Sequence, residues 1–427
     1  MSVTIFDSVL VIADDLTGAN DTAAQFAKLG LKAITTLDLE SVERLLKDYD
    51  VVAVDTETRH KTSEEAHNGL VQLGNRIKGY SDKILLYKKV DSTLRGNIDY
   101  EIKGLFESIN PDLVVFAPAY PKQGRTTKAG IQLLNNVPVT ETYFGEDIRA
   151  PVKSSRLSDY FELGYKALHR SISVEELRSG KVLEIVKGRK FLSFDVELED
   201  DLRLIAQLLK KLGDLKIVWV GSAGLAEHLA YNVLVGEKEG GPVLMVVGSV
   251  NRVVREQVKT FCRQFKTSII EVDVNSLINN FEKEAKRLIG KVKEALALPS
   301  DIILTTSYSN EQILEGRLVA ESSGLDMLKF GSLLADRVGK VVSLIMENFG
   351  WQSFSGIFMT GGDIAMSIIK SLQINSLEIE GEIEPGLPIL KYKNYHIVTK
   401  AGGFGSPETL IKIALRLKCV GQDFGPR

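Results

Sequence analysis

The sequence predicts an α/β protein of two domains, each built on a mostly parallel sheet flanked by helices, with the active site in the cleft between them. Three observations carry this. The chain has 427 residues, more than one ordinary hydrophobic core holds, so two domains are expected. Short apolar runs repeatedly end in polar clusters and give way to helical stretches, the pattern of parallel βαβ units. A break rich in glycine and charge, LVGEKEGGP at 234–242, divides the chain into 1–235 and 243–427.

The first element is the most telling. Val9-Leu10-Val11-Ile12 delivers Asp14 and Asp15 onto a Thr17-Gly18 turn, helix formers follow, and Gly30 closes the helix. Open α/β sheets bind ligands outside the carboxyl ends of their strands, so both aspartates fall where chemistry takes place. Adjacent like charges require a partner: a hydroxyl, a cation or a metal. The next strand, VVAVDTETRH (51–60), ends on Asp55, Thr56, Thr58 and Arg59, and a helical stretch follows at 63–77. ILLYKKVDSTLRGN (84–97) ends on Lys89, Asp91, Ser92, Thr93, Arg95 and Asn97. DLVVFAPAYPKQGRTT (112–127) ends on Pro118, Pro121, Gly124 and Arg125.

Right-handed crossovers place such strand ends on one edge of a sheet, so the clusters are expected to converge. Carboxylates, hydroxyls and guanidiniums together suit a polyhydroxylated acid. Arginine forks match a carboxylate, and aspartates accept hydrogen bonds from sugar hydroxyls. An aspartate beside an acceptor hydroxyl can also take its proton during phosphoryl transfer. His60, next to Arg59, is placed to touch the same ligand.

Residues 128–200 are less patterned. A strand pair is expected around VPVTETYF (137–144) and a helix around LSDYFELGYKAL (157–168). The amphipathic stretch 198–213 reads as a helix with Leu202, Ile205, Leu208 and Leu209 in the core. KIVWV (216–220) then runs as a strand into GSAGLAEHLA.

The second half repeats strand and helix with different punctuation. VLMVVGSVNRVVREQV (243–258) turns on Gly248-Ser249, and GIFMTGGDIAMSIIKSL (356–372) on Thr360-Gly361-Gly362-Asp363. DIILTTS (301–307) is a further strand, and YHIVTKAGGFGSPETLIKIAL (395–415) passes from Lys400 through a glycine loop into a helix with Pro407 in its first turn. Glycines at strand-to-helix turns let backbone N–H groups approach an anion, and the helix N-terminus adds partial positive charge. Three such turns in one domain point to a nucleotide or polyphosphate. At Gly403 a side chain is expected to block phosphate or force an unfavourable backbone angle. Neither GxxxxGK[ST] nor GxGxxG occurs, so a standard P-loop and a dinucleotide fingerprint are both absent.

Composition removes other classes. A net charge of −3 speaks against nucleic acid or an anionic membrane surface as partner. No apolar run approaches the ~18 residues of a membrane helix, and MSVTIFDSVL lacks the regions of a signal peptide. Cys262 and Cys419 stand far apart without a CxxC, which gives no disulfide framework or zinc site and suggests a reducing cytoplasm. No GxSxG elbow or HExxH supports acyl transfer or zinc hydrolysis.

Seven motifs, ADDLTGANDT (13–22), KKVDSTLRGN (88–97), APAYPKQGRTT (117–127), GSAGLA (221–226), Gly248-Ser249, TGGD (360–363) and KAGGFG (400–405), stand in the order found in the four-carbon acid sugar kinase family, which the chain resembles over nearly its whole length. The resemblance implies an N-terminal acid-sugar-binding domain and a C-terminal nucleotide-binding domain. It implies transfer of the γ-phosphate of ATP to the terminal (4-) hydroxyl of a four-carbon acid. The form ANDT resembles the D-threonate and D-erythronate branch; a 3-oxo-tetronate 4-kinase is the alternative.

Acid-sugar contacts are implied at Asp14, Asp15, Arg59 and Asp91-Ser92-Thr93-Leu94-Arg95. ATP contacts are implied at Ser249, at Thr360, Gly361, Gly362 and Asp363, and at Gly403. Asp15 is the first choice for catalytic base and Asp91 the second; Mg²⁺ is expected because ATP brings it. A homodimer is compatible with this reading. The chain departs from the family in VNRVVREQ after Gly248-Ser249, where small hydroxyl residues are common. SFDVELEDDL (193–202) also lacks the Asp-Ala pair often seen there. A dehydrogenase is disfavoured by the missing dinucleotide fingerprint. A sugar-acid sensor without turnover is the reading of a different class.

Overall fold

The computed structural model describes residues 4–212, 215–235 and 241–420. The expected linker at 234–242 falls largely outside them, as does the side chain of Cys419. The chain divides into two compact units, one within residues 3–237 and one within 238–427.

The first unit is built on an eight-stranded sheet in the order His169–Ile172, Phe191–Phe194, Leu113–Ala117, Ile217–Gly221, Ile84–Lys89, Ser8–Ala13, Val51–Asp55, Ala33–Thr36. All neighbours in it run parallel. Ser8–Ala13, Val51–Asp55, Ile84–Lys89, Leu113–Ala117 and Ile217–Gly221 are buried at every position, which explains their unbroken apolar runs. Helices Leu16–Ala27, Ser63–Ile77, Ile98–Ile109, Glu199–Lys211 and Ala223–Ala230 accompany the sheet. Ser63–Ile77 starts where the sequence placed it, because Thr62 and Glu65 form a reciprocal capping box.

Winding decides where the site lies. From Ser8–Ala13 the chain goes out to the edge strand Ala33–Thr36 and returns through Val51–Asp55. It then crosses to Ile84–Lys89 on the other side of the first strand. The crevice between Ser8–Ala13 and Ile84–Lys89 is thus a topological switch point, the place where open α/β sheets bind ligands. Register sets Ala13 beside both Asp55 and Lys89, and Lys89 beside Gly221.

Between residues 125 and 172 the structure differs from the sequence reading. The antiparallel pair is Arg125–Lys128 with Ile131–Leu134, and Val137–Pro138 only adds a short third strand. Ala129 and Gly130, with φ of 49° and 74°, make the hairpin turn that sets the register of the pair, and Asn135 and Asn136, with φ of 49° and 67°, make the turn into the third strand. The helix expected at 157–168 is a 3₁₀ segment, Leu157–Phe161, that buries Leu157, Tyr160 and Phe161. Gly164, at φ 100°, ends the run and leads toward the unforeseen edge strand His169–Ile172. Helix Glu199–Lys211 buries Leu202, Ile205 and Leu208 as expected; the Leu209 side chain lies outside the described residues.

The second unit carries a seven-stranded sheet in the order Thr267–Glu271, Asp301–Thr305, Val243–Val247, Gly356–Thr360, Tyr395–Lys400, Leu387–Tyr392, Glu378–Glu384. The first five strands are parallel, and the last two form an antiparallel extension that the sequence reading did not contain. Its winding repeats that of the first unit, so its switch point lies between Val243–Val247 and Gly356–Thr360. Register sets Val247 beside Thr360 and Thr360 beside Lys400, which aligns the three glycine turns. Pro407 stands two residues ahead of helix Thr409–Val420 rather than in its first turn.

Candidate active site

Arg59 organises the first unit's site. Its Nε donates to Asp14 Oδ2 at 2.7 Å and its Nη2 to Asp14 Oδ1 at 2.9 Å. Nη1 donates to Asp15 Oδ2 at 2.7 Å and Nη2 to Asp15 Oδ1 at 3.0 Å. One planar fork therefore bridges both carboxylates, a geometry lysine cannot reproduce. The partner that the adjacent like charges require is an internal cation. Burial works to lower the guanidinium's pKa, but the charges of Asp14, Asp91 and Asp15 outweigh it and raise it overall. Asp14 is 1% exposed and Asp15 28%. Asp15 also caps helix Leu16–Ala27, its Oδ1 accepting from the Gly18 N–H at 3.0 Å.

The loop after Ile84–Lys89 closes the other side of the crevice. Leu94 holds φ 66° with its side chain buried, and Gly96 holds φ 98°. A Cβ on Gly96 would sit 3.0 Å from Asp14 Oδ2, so only glycine lets this loop approach the aspartate. Two positive φ angles at one loop are backbone strain held by its surroundings, a common property of functional loops. Asp91 accepts from Arg95 Nε at 2.7 Å and from the Thr93 hydroxyl. Burial pushes the Asp91 carboxyl up, but those hydrogen bonds and the Arg95 and Arg59 charges hold it below its ordinary value. Arg95 Nη1 also donates to Asp147 Oδ2 at 3.2 Å.

The structure thus brings Asp14, Asp15, Arg59, Asp91 and Arg95 together at one switch point. Thr93 spends its hydroxyl on Asp91, and Leu94 sends its side chain into the core while its N–H donates to the Asp91 carbonyl at 2.9 Å, which leaves the Thr93 backbone to face a ligand. Ser92 is half-buried, its carbonyl accepting from Gln132 Nε2 at 2.7 Å. His60 is exposed.

In the second unit, three turns border one space. A Cβ on Gly361 would lie 3.8 Å from the Ser249 nitrogen, and one on Gly402 would lie 2.4 Å from Ser249 Oγ. Gly361, at φ 100°, precedes helix Gly362–Ser371 without any side-chain cap, and Asp363 stands exposed in its first turn. Thr360 is sealed from solvent, so the turn after it is the part that can meet a ligand.

Lys400 is turned inward. Its ammonium donates to the carbonyls of Ala401, Gly402 and Phe404 at 3.1, 3.2 and 3.0 Å. Because each peptide is trans, the N–H groups of Gly402, Gly403 and Gly405 point away from that ammonium. Among the described residues none of the three donates a hydrogen bond. Lys400 therefore shapes a nest of outward N–H groups, an anion-binding concavity. Gly403 is not in the left-handed region, and a Cβ there would meet only Asn251 Nδ2 at 3.7 Å. The unfavourable angle expected at Gly403 is absent; the positive φ belongs to Gly405, at 88°.

The fold also places here Asp55 and Lys89, which the sequence reading put in the converging clusters but not among the ligand contacts, and Lys88, which it did not single out. Asp55 lies beside Ala13, buried, and burial raises its carboxyl pKa. Lys88 and Lys89 end an otherwise apolar strand, and their burial is costly enough to have been a signal. Lys88 pairs with the buried Glu101 at 3.1 Å. Among the described residues no group of three or more His, Cys, Asp or Glu is arranged to hold a metal ion.

Comparison with known proteins follows the same division. A family model described as a sugar-binding N-terminal domain matches residues 9–229, and one described as a nucleotide-binding C-terminal domain matches 244–410. A D-threonate kinase of Salmonella typhimurium is 31% identical over 417 residues, which cover 94% of this chain and 96% of that protein. The chain belongs to the four-carbon acid sugar kinase family. Within the family, a D-erythronate kinase of Heliobacterium modesticaldum is 29% identical, over 94% of this chain and 95% of its own. A crystal structure from Bordetella bronchiseptica, described as a domain of unknown function and solved as a domain-swapped dimer with bound citrate, superimposes with a TM-score of 0.71. It is 25% identical and covers 96% of this chain and 98% of its own. The aspartate–arginine cluster lies in the family's sugar-binding unit and the N–H nest in its nucleotide-binding unit.

Proposed function

We propose that this acid sugar kinase transfers the γ-phosphate of ATP to the 4-hydroxyl of D-threonate or D-erythronate in carbohydrate acid catabolism. The observation that carries the reading is the pairing of two switch points. One presents carboxylates and cations suited to a polyhydroxylated acid, the other unpaired N–H groups suited to phosphates.

Phosphoryl transfer needs little covalent chemistry from the protein; positioning and charge stabilisation supply most of the rate. In this reading Asp15 takes the proton of the attacking hydroxyl. It is the more exposed of the pair, and Arg59 and the Gly18 N–H fix its direction. Asp14 stays buried against Arg59 and orients it. Asp91 is the second choice, its carboxylate committed to Arg95 and Thr93 and less exposed than that of Asp15. Ser92 and Thr93 contribute backbone contacts to the acid, and Leu94, its N–H held by the Asp91 carbonyl, fixes the loop that presents them. Ser249, the Thr360–Asp363 turn and the Gly403 loop hold the nucleotide, whose β- and γ-phosphates meet the free N–H groups. Mg²⁺ would be carried by the phosphates themselves, since the described residues offer no carboxylate cage of their own. A homodimer and a cytoplasmic location complete the proposal. The Bordetella bronchiseptica relative is a domain-swapped dimer, and among the described residues no helix is long and apolar enough to cross a membrane.

An ADP-release screen over D- and L-threonate, D- and L-erythronate and 3-oxo-tetronates tests the reading, with ³¹P NMR to locate the phosphate. Turnover on D-threonate or D-erythronate at the terminal oxygen is expected. Binding of these acids with no ADP released would make the chain a sensor. Preference for 3-oxo-tetronates would move it to that branch. Light scattering checks the dimer.

A further inference from the structure

The acid-sugar site holds three cations, and two are already neutralised. Arg59 faces Asp14 and Asp15, and Arg95 faces Asp91 and Asp147. Lys89 is different. It ends the strand Ile84–Lys89 beside Ala13, at the switch point, and is only 6% exposed. Among the described residues its Nζ has no carboxylate oxygen within 4.0 Å and no hydrogen-bond acceptor. A Cβ built on Gly18 would lie 2.7 Å from that Nζ and 2.5 Å from Asp15 Oδ1, so the ammonium and the capping carboxylate border one small space. That space opens on the first turn of helix Leu16–Ala27, whose dipole adds to the positive charge. A buried ammonium that makes no direct hydrogen bond or ion pair is costly unless a ligand supplies one. Burial lowers its pKa, and the charges of Asp14, Asp91 and Asp15 oppose this without touching it.

We propose that Lys89 receives the carboxylate of the bound acid, and so is the residue by which the site tells a sugar acid from the neutral sugar. This rests on the acid-sugar reading above. The anion is assigned to the substrate's carboxylate rather than the transferred phosphoryl group because Lys89 belongs to the sugar-binding unit and is buried there without a nucleotide. Two donors remain at the same place to share the load: one Arg59 N–H is left after its four contacts, and Arg95 retains its Nη2. Each of these arginines is already tied to two carboxylates; the Lys89 ammonium is tied to none.

Calorimetry on the full chain tests this with matched ligands: D-threonate, its amide D-threonamide, and citrate as a polycarboxylate independent of sugar identity. Wild-type protein is expected to prefer the acid over the amide by about 100-fold, the scale of a desolvated charge pair. Lys89→Met should weaken D-threonate and citrate by about 100-fold and the amide by less than about threefold. Its melting temperature should hold or rise, since an unpaired buried charge is gone; Lys89→Gln serves as a second variant. An undiminished acid preference in Lys89→Met overturns the proposal. So does a fall in kcat with that preference intact, which gives the cation to the phosphoryl group. Equal losses for acid and amide overturn it as well, by making Lys89 structural. If wild type binds no four-carbon acid, the substrate reading fails separately, and the citrate arm still decides Lys89: a loss in the variant supports it, no loss or no binding overturns it.

Discussion

Arg59→Met is the sharpest test of how the first site is built. The substitution keeps an unbranched apolar stem and removes four N–H···O contacts of 2.7–3.0 Å. It leaves Asp14, 1% exposed, without its cation, and Asp15, 28% exposed, beside it. Breaking a buried ion pair from one side costs about 3–5 kcal/mol, because the other charge stays buried. Asp15 can rehydrate, which places the expected cost at the lower end, about 3 kcal/mol. For a unit of this size each kcal/mol moves the melting temperature by about 2–4 °C, so a drop of about 6–12 °C is expected in the first unit's transition. Acid affinity should fall with it, while nucleotide affinity, located in the other unit, should stay near normal. The companion Arg59→Met/Asp14→Leu replaces the pair by apolar groups and should recover stability to within about 1 kcal/mol without recovering acid affinity. Differential scanning calorimetry and titration with D-threonate measure both quantities. An unchanged melting temperature with weakened acid binding would refute the reasoning: Arg59 would then be held for the ligand and not for the aspartates.

Three further outcomes are expected. Asp15→Asn should keep acid affinity within a few-fold and lose about 10²-fold or more in kcat, the scale of a general base, whereas Asp91→Asn should act mainly on affinity; the reverse pattern in steady-state kinetics hands the base role to Asp91. Gly403→Val should fold normally, since its Cβ meets only Asn251 Nδ2 at 3.7 Å, and yet raise the ATP KM by about tenfold or more by standing where phosphate approaches; a folded variant with wild-type constants would reduce the loop to a turn. Burial pushes the Lys400 ammonium down to about 8, so the proton that ties three carbonyls is lost as pH rises through that value. The ATP KM should therefore climb between about pH 7.5 and 9. Stability should rise with pH in this window, because the unfolded chain keeps the proton up to its ordinary value of 10.5 and binds more protons than the fold. Lys400→Met should be weak in ATP binding and flat in pH; a pH-dependent variant would exclude Lys400 as the source.

Much of the molecule was written in local pattern. Buried parallel strands must be apolar throughout and must stop where the chain meets solvent, so Val9–Ile12, Val51–Val54 and Val243–Val247 announce themselves and their polar ends. From that alone came two α/β units, the polar strand ends that include Asp14, Asp15, Arg59, Asp91 and Arg95, and the glycine turns at 248, 361 and 402–405; the choice of those five among the strand-end residues came from the family resemblance. Segments whose structure depends on distant neighbours were not legible. The stretch 157–168 has helical spacing, yet the sheet pulls Leu157, Tyr160 and Phe161 inward within a 3₁₀ turn, and Gly164 breaks the run. The strand pair was expected on the β-branched run at 137–144, whereas the turns at Ala129-Gly130 and Asn135-Asn136 place it earlier.

The roles of individual charges were the part that only tertiary structure decided. Sequence supplies Arg59, Lys89 and Lys400 as three cations at strand ends, alike in kind. Coulomb energy and desolvation depend on distances across the chain, and these differ for each. Arg59 is turned onto two carboxylates 44 and 45 residues away, and Lys400 onto the carbonyls of its own loop. Lys89, held between two strands that the winding brings together, makes no direct ion pair among the described residues. Periodicity fixes which side chains are buried; it carries no record of what a buried charge will meet.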